Sequence, residues 1–187
     1  MQKSTFKLTK HELDFISDPQ WMSLKQKLIR TISDSLHGLG QLILTEYYPG
    51  STQTYKVTRG ENYLDMPYVV LDAPQLKSNK LAGKLRIMFW WGHYISVQLF
   101  LNTHTITQSN LDSLCSGKYF ILVTDNLFNN DLDTIDFTCL TEPGMKISFD
   151  QEITKVCMKI RISEMEEMET HIRTFIGDLN PLREQQD

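Results

Sequence analysis

The residues best suited to hold a ligand lie in one polar segment and in the apolar stretch that follows it. Segment 59–68 is rich in side chains that hydrogen-bond or stack, and it lies between predicted strands, where binding sites tend to occur. Binding pockets combine aromatic walls with a few convergent polar groups. A connection with no role beyond packing can have the same composition, so both interpretations stay open. The candidate ligand-binding residues are Arg59, Asn62, Tyr63, Tyr68, Arg86 and Trp90.

Arg86 is the most informative candidate because it interrupts an otherwise apolar strand. A guanidinium stays protonated in proteins, so a buried one must meet a carboxylate, carbonyl groups, water or a bound anion. One interpretation is a pocket walled by Trp90 that holds an anionic ligand. The other is a structural ion pair with an internal acid such as Asp72 or Glu61. The sequence favours the ion pair, because buried arginines usually find a partner within the protein.

Sites for other chemistry are not supported by the spacing of the residues. The histidines show neither HxxxH nor HExxH spacing, and the cysteines form no CxxC pair, so no metal site is predicted. The acidic segment 125–136 departs from the calcium-loop template, and no GxSxG motif indicates a hydrolase. We find no catalytic constellation and expect no cofactor. The sequence leaves open whether the protein is an enzyme and favours a non-catalytic role.

Composition and charge are typical of an ordinary globular protein. The 187 residues are 41% hydrophobic and 22% charged, with a formal net charge of −4. This length fits one domain, 1–187. The basic residues are not concentrated, which argues against nucleic acid as a partner, and no apolar run is long enough for a membrane span. No export signal is indicated near the N-terminus, so we expect a cytoplasmic location.

Two amphipathic helices are predicted to cover a sheet. Thr9 begins a capping-box pattern for a short first helix, and Asp18–Pro19 supplies the cap and first residue of a long one. A second capping-box match at Ser163 predicts a C-terminal helix that ends near Asn180–Pro181. Steps of three and four predict one buried face on the long helix: Trp21, Leu24, Leu28, Ile32, Leu36, Leu39 and Ile43. The corresponding stripe on the C-terminal helix is Met165, Met168, Ile172, Phe175, Ile176 and Leu179.

The strongest strand signal, 84–101, is predicted to form a β-hairpin. Gly92 lies at its centre, and glycine at the first of two turn residues favours a type II′ turn. That register places Trp91 beside Tyr94. It also places Arg86 opposite a leucine, Leu99, on an otherwise apolar face.

The remaining strands define the fold class. They follow one another without long helices between them, which indicates an antiparallel sheet with segregated helices. The predicted class is α+β: a mostly antiparallel sheet of about five to seven strands, with the long N-terminal helix and the C-terminal helix packed on it. These further strands are predicted at 55–58, 66–71, 119–124, 135–140, 145–149 and 156–162.

The hairpin also carries a resemblance to known proteins. The order of a long helix, a polar loop and the sequence Leu85-Arg86-Ile87-Met88-Phe89-Trp90-Trp91-Gly92-His93-Tyr94-Ile95 resembles small bacterial proteins of unknown function. The resemblance covers about the first half of the chain. It implies a compact α+β fold and supplies no catalytic residues to transfer.

Two functions follow from these observations. The first is a non-catalytic module that binds a protein partner or forms a homo-oligomer. The alternative is a protein or enzyme that binds a small anionic ligand near Arg59, Arg86 and Trp90. An exposed apolar patch would favour the first. A cavity that contains an arginine without an internal acid would favour the second.

Overall fold

The computed structural model describes residues 7–50, 52–76 and 81–183. The α-helices in this part of the chain are α1 (Lys10–Ser17), α2 (Pro19–Tyr47), α3 (Gln108–Ser113) and α4 (Met168–Arg183). The strands are β1 (Lys56–Tyr63), β2 (Met66–Ala73), β3 (Leu85–Trp90), β4 (Tyr94–Asn102), β5 (Tyr119–Leu122), β6 (Phe137–Cys139) and β7 (Ile153–Arg161). None of the helices described here combines the length and the apolar character needed to cross a bilayer.

The described strands form one antiparallel sheet in the order β1-β2-β3-β4-β7-β5-β6. The first four strands form a meander in which each strand pairs antiparallel with the next one along the chain. Strand β7 returns beside β4 and joins β5 and β6 to the meander. The predicted α+β class is confirmed, including the long N-terminal helix and the C-terminal helix.

Both long helices pack on the same face of the sheet. The apolar residues of α2 from Ile32 to Ile43 share one core with Ile172 and Phe175 of α4. Helix α2 lies mainly on β2 and β1, whereas α4 lies on β4 and β7. The three-and-four spacing of these residues places them on one side of each helix, and the sheet covers that side.

The C-terminal helix differs from the prediction at both ends. Ser163 lies in a 3₁₀ turn, Ile162–Glu167, in which Glu164 accepts a hydrogen bond from the backbone of Arg161. The α-helix therefore begins only at Met168. It also continues beyond the predicted end at Pro181, because the next residue, Leu182, is buried and holds the last turn against the core.

The turn between β3 and β4 lies where it was predicted, but it has another type. The prediction had two residues in the turn, between Trp91 and Tyr94. In the structure three residues join Trp90 to Tyr94, so the predicted pairing of Trp91 with Tyr94 is wrong. The amide of His93 donates to the carbonyl of Trp90 at 3.2 Å, and Gly92 has a φ of 73°. Gly92 therefore occupies the third position of a type II turn. That position requires a positive φ, so it favours glycine as strongly as the second position of the predicted type II′ turn does.

The additional turn residue exchanges the two faces of β4 relative to β3. Because side chains alternate along a strand, a shift of one residue moves every side chain to the opposite face. Arg86 therefore lies opposite Gln98, not opposite the predicted Leu99. Its cross-strand neighbour is polar, and Leu99 instead joins the core under the helices.

Segment 145–149, whose residues alternate as in a strand, is not a strand in the structure. Ile147 and Phe149 pack at the edge of the core. One-sided packing accounts for the alternation, but it does not by itself create a hydrogen-bonded ladder. The prediction of a strand at this position was therefore wrong.

Candidate functional site

The sheet face opposite the helices carries most of the candidate ligand-binding residues. It is covered by the connection between β5 and β6, residues 123–136. Leu127 and Leu132 of this connection pack on a small apolar cluster that includes Val70 and Met88. This connection, not a helix, limits the access of solvent and ligands to this face.

Arg86 forms an ion pair with Asp72 on the neighbouring strand. The two residues are direct cross-strand partners in the ladder between β2 and β3. Nε of Arg86 lies 2.7 Å from Oδ1 of Asp72, and Nη2 lies 3.1 Å from Oδ2. Two parallel hydrogen bonds of this kind are the strongest form of arginine–carboxylate contact. The side chains are only 17% and 12% exposed, so the internal acid expected for a structural role is present.

Three of the predicted site residues gather in an aromatic cluster at one end of this face. The ring of Tyr63 lies 5.2 Å from that of Trp90 and 6.2 Å from that of Tyr68. The indole nitrogen of Trp90 donates to the carbonyl of Tyr63 at 3.1 Å. His93 stacks on Trp90 at 3.6 Å. Trp90 is buried under its neighbours, whereas Tyr63 and Tyr68 are partly buried and His93 is exposed, so the cluster closes over Trp90 at the surface of the sheet.

The other two predicted site residues lie apart from this cluster. Arg59 is exposed on the edge strand β1, and its partner Val69 belongs to the core under the helices. Arg59 and Arg86 are therefore on opposite faces of the sheet. Asn62 is exposed near the β1–β2 turn, where its side chain accepts a hydrogen bond from the amide of Asp65 at 3.1 Å. The predicted set is thus only partly brought together, and ligand binding by it stays a prediction.

Lys155 is a buried cation that sequence reasoning missed. Its Nζ donates to Oε1 of Gln98 at 3.0 Å and to the carbonyl oxygens of Leu127 and Asn129 at 3.0 and 2.5 Å. Complete burial lowers its pKa to about 8. The ammonium thereby ties the β5–β6 connection to the sheet. The sequence did contain a signal for this position. Lys155 and Lys159 are separated by an even number of residues on one strand, so both cations lie on the same face of the sheet, away from the helices.

A further titratable group on this face is the buried thiol of Cys157. Burial raises the pKa of the Cys157 thiol to about 12, so the thiolate that a cysteine nucleophile needs is scarce at neutral pH. Within residues 7–50, 52–76 and 81–183, no three histidine, cysteine, aspartate or glutamate side chains converge as metal ligands would. The polar groups of this face instead bond to one another.

A second feature is an exposed apolar surface on the N-terminal helices, which we call the arm surface. Three residues of the predicted buried stripe are exposed: Trp21 by 52%, Leu24 by 45% and Leu28 by 39%. Their predicted burial was wrong because the sheet covers α2 only from Ile29 onward. The arm surface consists of Leu13, Phe15, Ile16, Trp21, Met22, Leu24 and Leu28, each 39–62% exposed.

The members of the arm surface are adjacent along the two helices. Asp18 ends α1 and caps α2, so the helices are joined by a single residue. The rings of Phe15 and Trp21 lie 5.8 Å apart across this junction. Trp21, Leu24 and Leu28 then follow at steps of three and four, which are neighbouring positions on a helix. Phe15, Trp21, Leu24 and Leu28 thus form one apolar strip that runs from α1 into α2, and Leu13, Ile16 and Met22 are exposed on the same two helices.

Comparisons with known proteins add information on the fold. No family model and no curated protein matches this chain. A solved structure, a conserved hypothetical protein from Pyrococcus furiosus, is similar with a TM-score of 0.52 and 12% sequence identity. The alignment covers 86% of this chain and 98% of that chain. At this identity the similarity concerns the fold alone, and it agrees with the resemblance to proteins of unknown function.

Proposed function

We propose that this chain is a non-catalytic module that binds a protein partner or assembles with itself through the arm surface. The observation that carries this proposal is the exposure of all seven apolar side chains of that surface. At roughly 100 Å² for each half-exposed large side chain, they present about 700 Å². The largest apolar patch of a typical monomer is about 300–600 Å² and is often functional.

The isolation of α1 supports the same proposal. It has only eight residues, and none of them is buried. Isolated helices shorter than about 12–15 residues are marginal in water. The cap at Thr9 and the contact of Phe15 with Trp21 stabilise this short helix only modestly. A partner that covers the apolar side of α1 would supply the missing stabilisation.

The partner of Arg86 also bears on the choice between functions. The alternative function, binding of a small anionic ligand, needs a cation without an internal acid. Arg86 has Asp72 as its partner, which favours the interaction module over the alternative. A bacterial source and a cytoplasmic location belong to the same proposal. They are supported by the resemblance of the hairpin to small bacterial proteins and by the ordinary composition.

The proposal predicts that the arm surface serves association and not folding. The test variant has serine in place of both Leu24 and Leu28. Each of the two replacements should change the free energy of unfolding by less than about 0.5 kcal/mol, as surface changes do. The matched control Leu36→Ala, on the covered part of the same helix, should cost about 2–5 kcal/mol. Urea denaturation measures both at a protein concentration low enough to keep the chain monomeric, because self-association would itself stabilise the wild type. A loss of several kcal/mol in the serine variant would show that the surface belongs to the core and would overturn the proposal.

A photo-reactive amino acid tests association directly. Placed at position 24, it should form a covalent adduct with a protein, either in the purified chain or in a cell extract. The adduct should disappear when Trp21 and Leu28 are replaced by serine. The same amino acid at the exposed position 118 is the control. Equal adduct formation at positions 24 and 118, or none at either in both preparations, would count against the proposal.

A further inference from the structure

The β5–β6 connection has the form of a hinged cover on the sheet. The amide of Val123 donates to the carbonyl of Asp136 at 2.8 Å, so the two ends of the connection lie together. Between them, the side-chain nitrogen of Asn129 donates to Thr134 at 2.8 Å and to Asp136 at 2.7 Å. A compact surface loop that is closed at its base is an Ω-loop, and such loops are frequently functional. The internal bonds allow this loop to move as a unit about its base.

Beyond its base, the connection is attached to the sheet by side chains, because none of its residues lies in a strand. The hydroxyl of Tyr63 accepts a hydrogen bond from the amide of Asn130 at 2.7 Å. The hydroxyl of Tyr94 accepts one from the amide of Leu132, also at 2.7 Å. Lys155 adds its hydrogen bonds from beneath. Attachments of this kind can open locally while the sheet itself stays folded.

The charge of Lys155 opposes the closed position of this cover. Two other cations on the same face have carboxylate partners. Arg86 is paired with Asp72, and Lys159 is paired with Asp133. Lys155 forms no ion pair within the described residues, and its acceptors are four uncharged oxygens: those of the Gln98 and Asn130 side chains and the carbonyls of Leu127 and Asn129. A buried charge without a counter-ion carries a large desolvation penalty.

The β5–β6 connection is what separates this ammonium from water. Lys155 is completely buried, and three of its four acceptors belong to the connection. We infer that the β5–β6 connection opens locally and that the proton on Lys155 controls how readily it opens. The charged side chain favours the open form, in which water hydrates the ammonium. The neutral side chain favours the closed form.

The titratable groups near Lys155 decide which proton a change of pH removes. The groups that affect its pKa are Cys157, two residues along β7, and Arg86 of β3. Burial raises the pKa of Cys157 to about 12, and a guanidinium stays protonated, so neither changes its charge at mildly alkaline pH. The Lys155→Met variant retains every other titratable group and so isolates one proton. Further titratable groups on the elements packed against this face are Tyr63, Asp72, His93, Tyr94, Asp125, Asp131, Asp133, Asp136 and Lys159.

The thiol of Cys157 reports the opening. It is completely buried in the apolar cluster on which Leu127 and Leu132 of the connection pack. Cys115→Ser and Cys139→Ser leave Cys157 as the one cysteine of the chain. The rate of labelling by a thiol reagent is measured at pH 7 and pH 9.5, and each rate is divided by that of an unstructured cysteine peptide at the same pH. This division removes the pH dependence of the thiol itself.

The expected result is slower labelling at the higher pH. Burial lowers the pKa of Lys155 to about 8 in the closed form, whereas an exposed lysine has its ordinary value near 10.5. The open form therefore binds more protons, and opening should be about 25-fold less frequent at pH 9.5 than at pH 7. The relative labelling rate of Cys157 should fall by this factor in the wild-type background. In Lys155→Met it should not change with pH.

A thiol on the other face of the sheet distinguishes local opening from unfolding of the whole chain. Val97 is completely buried in the core under the helices, so Val97→Cys with Cys157→Ser, in the same background, reports only the opening of that core. Local opening predicts that Cys157 is labelled faster than this control at pH 7. Equal rates at the two positions would overturn the local opening. A wild-type rate that does not fall with pH, or that falls equally in Lys155→Met, would overturn the control by the proton on Lys155.

Discussion

Replacing Arg86 with methionine distinguishes a structural ion pair from a ligand site. Methionine retains much of the apolar stem and removes the charge, so the carboxylate of Asp72 loses both of its hydrogen bonds from the guanidinium. Breaking a buried pair from one side costs about 3–5 kcal/mol, because the other charge is left without compensation. Both side chains keep some exposure, 17% and 12%. We therefore expect a loss near the lower limit, about 3 kcal/mol.

A second variant shows whether this loss comes from the stranded carboxylate. In the double variant Arg86→Met with Asp72→Leu, both charges are absent, and buried ion pairs can often be replaced by apolar residues at little or no cost. The double variant should therefore be within about 1 kcal/mol of the wild type. Urea denaturation followed by tryptophan fluorescence measures these differences, and an unchanged slope with urea shows that the transition stays comparable.

A ligand site would give the opposite result. Arg86→Met would then lose less than about 0.5 kcal/mol, as at an ordinary surface position. It would also lose a rise in melting temperature that phosphate or citrate produces in the wild type, because a bound ligand stabilises the folded chain by mass action. That combination would refute the structural role of the ion pair.

Three further predictions concern the core, a turn and the buried lysine. Ile172→Ala should lower the free energy of unfolding by about 2–5 kcal/mol, since its side chain is completely buried; a loss below about 0.5 kcal/mol in urea would place the stripe in solvent. Leu64 has a φ of 49° in the β1–β2 turn, and Leu64→Asn should raise the melting temperature by removing about 1 kcal/mol of strain; an unchanged or lower melting temperature would contradict this. Burial lowers the pKa of Lys155 from 10.5 to about 8, so the unfolded chain binds more protons between these values. The wild type should therefore gain on the order of 3 kcal/mol relative to Lys155→Met as the pH rises from 8 to 10.5; a constant difference in urea over this range would refute the lowered pKa.

The sequence predicted the elements of the fold because local physics determines them. Thr9 and Asp18 can satisfy free amides at a helix start, and both do so in the structure. The stripe that contains Ile172 is buried from Met168 to Leu179 as predicted, whereas its first member, Met165, is only partly buried. The Ser163 capping match failed for a local reason too, because Arg161 and Glu164 form the competing cap. Such competitions between neighbouring residues are decided by small energy differences.

The environment of Arg86 could not be predicted, because it depends on one residue in a turn. Gly92 suits both the third position of a type II turn that begins at Trp90 and the second position of a type II′ turn that begins at Trp91, and the first arrangement leaves three residues in the loop where the second leaves two. That difference shifts the register by one residue and changes the neighbour of Arg86 from Leu99 to Gln98. Asp72 was among the acids named for Arg86, yet only the strand pairing shows that the two are direct partners. An error of one residue therefore leaves the fold class intact and alters the chemistry of the face.

The arm surface shows what helical periodicity cannot tell. The spacing from Trp21 to Ile43 is continuous, and it identifies one side of α2 that must be covered by apolar groups. It does not say what covers that side. The sheet does so from Ile29 onward, and before Ile29 the same pattern continues into solvent. Exposure of apolar side chains to water is unfavourable along the whole length of such a strip. The unbroken pattern is therefore itself a reason to expect that another protein surface covers the part of α2 that the sheet leaves exposed.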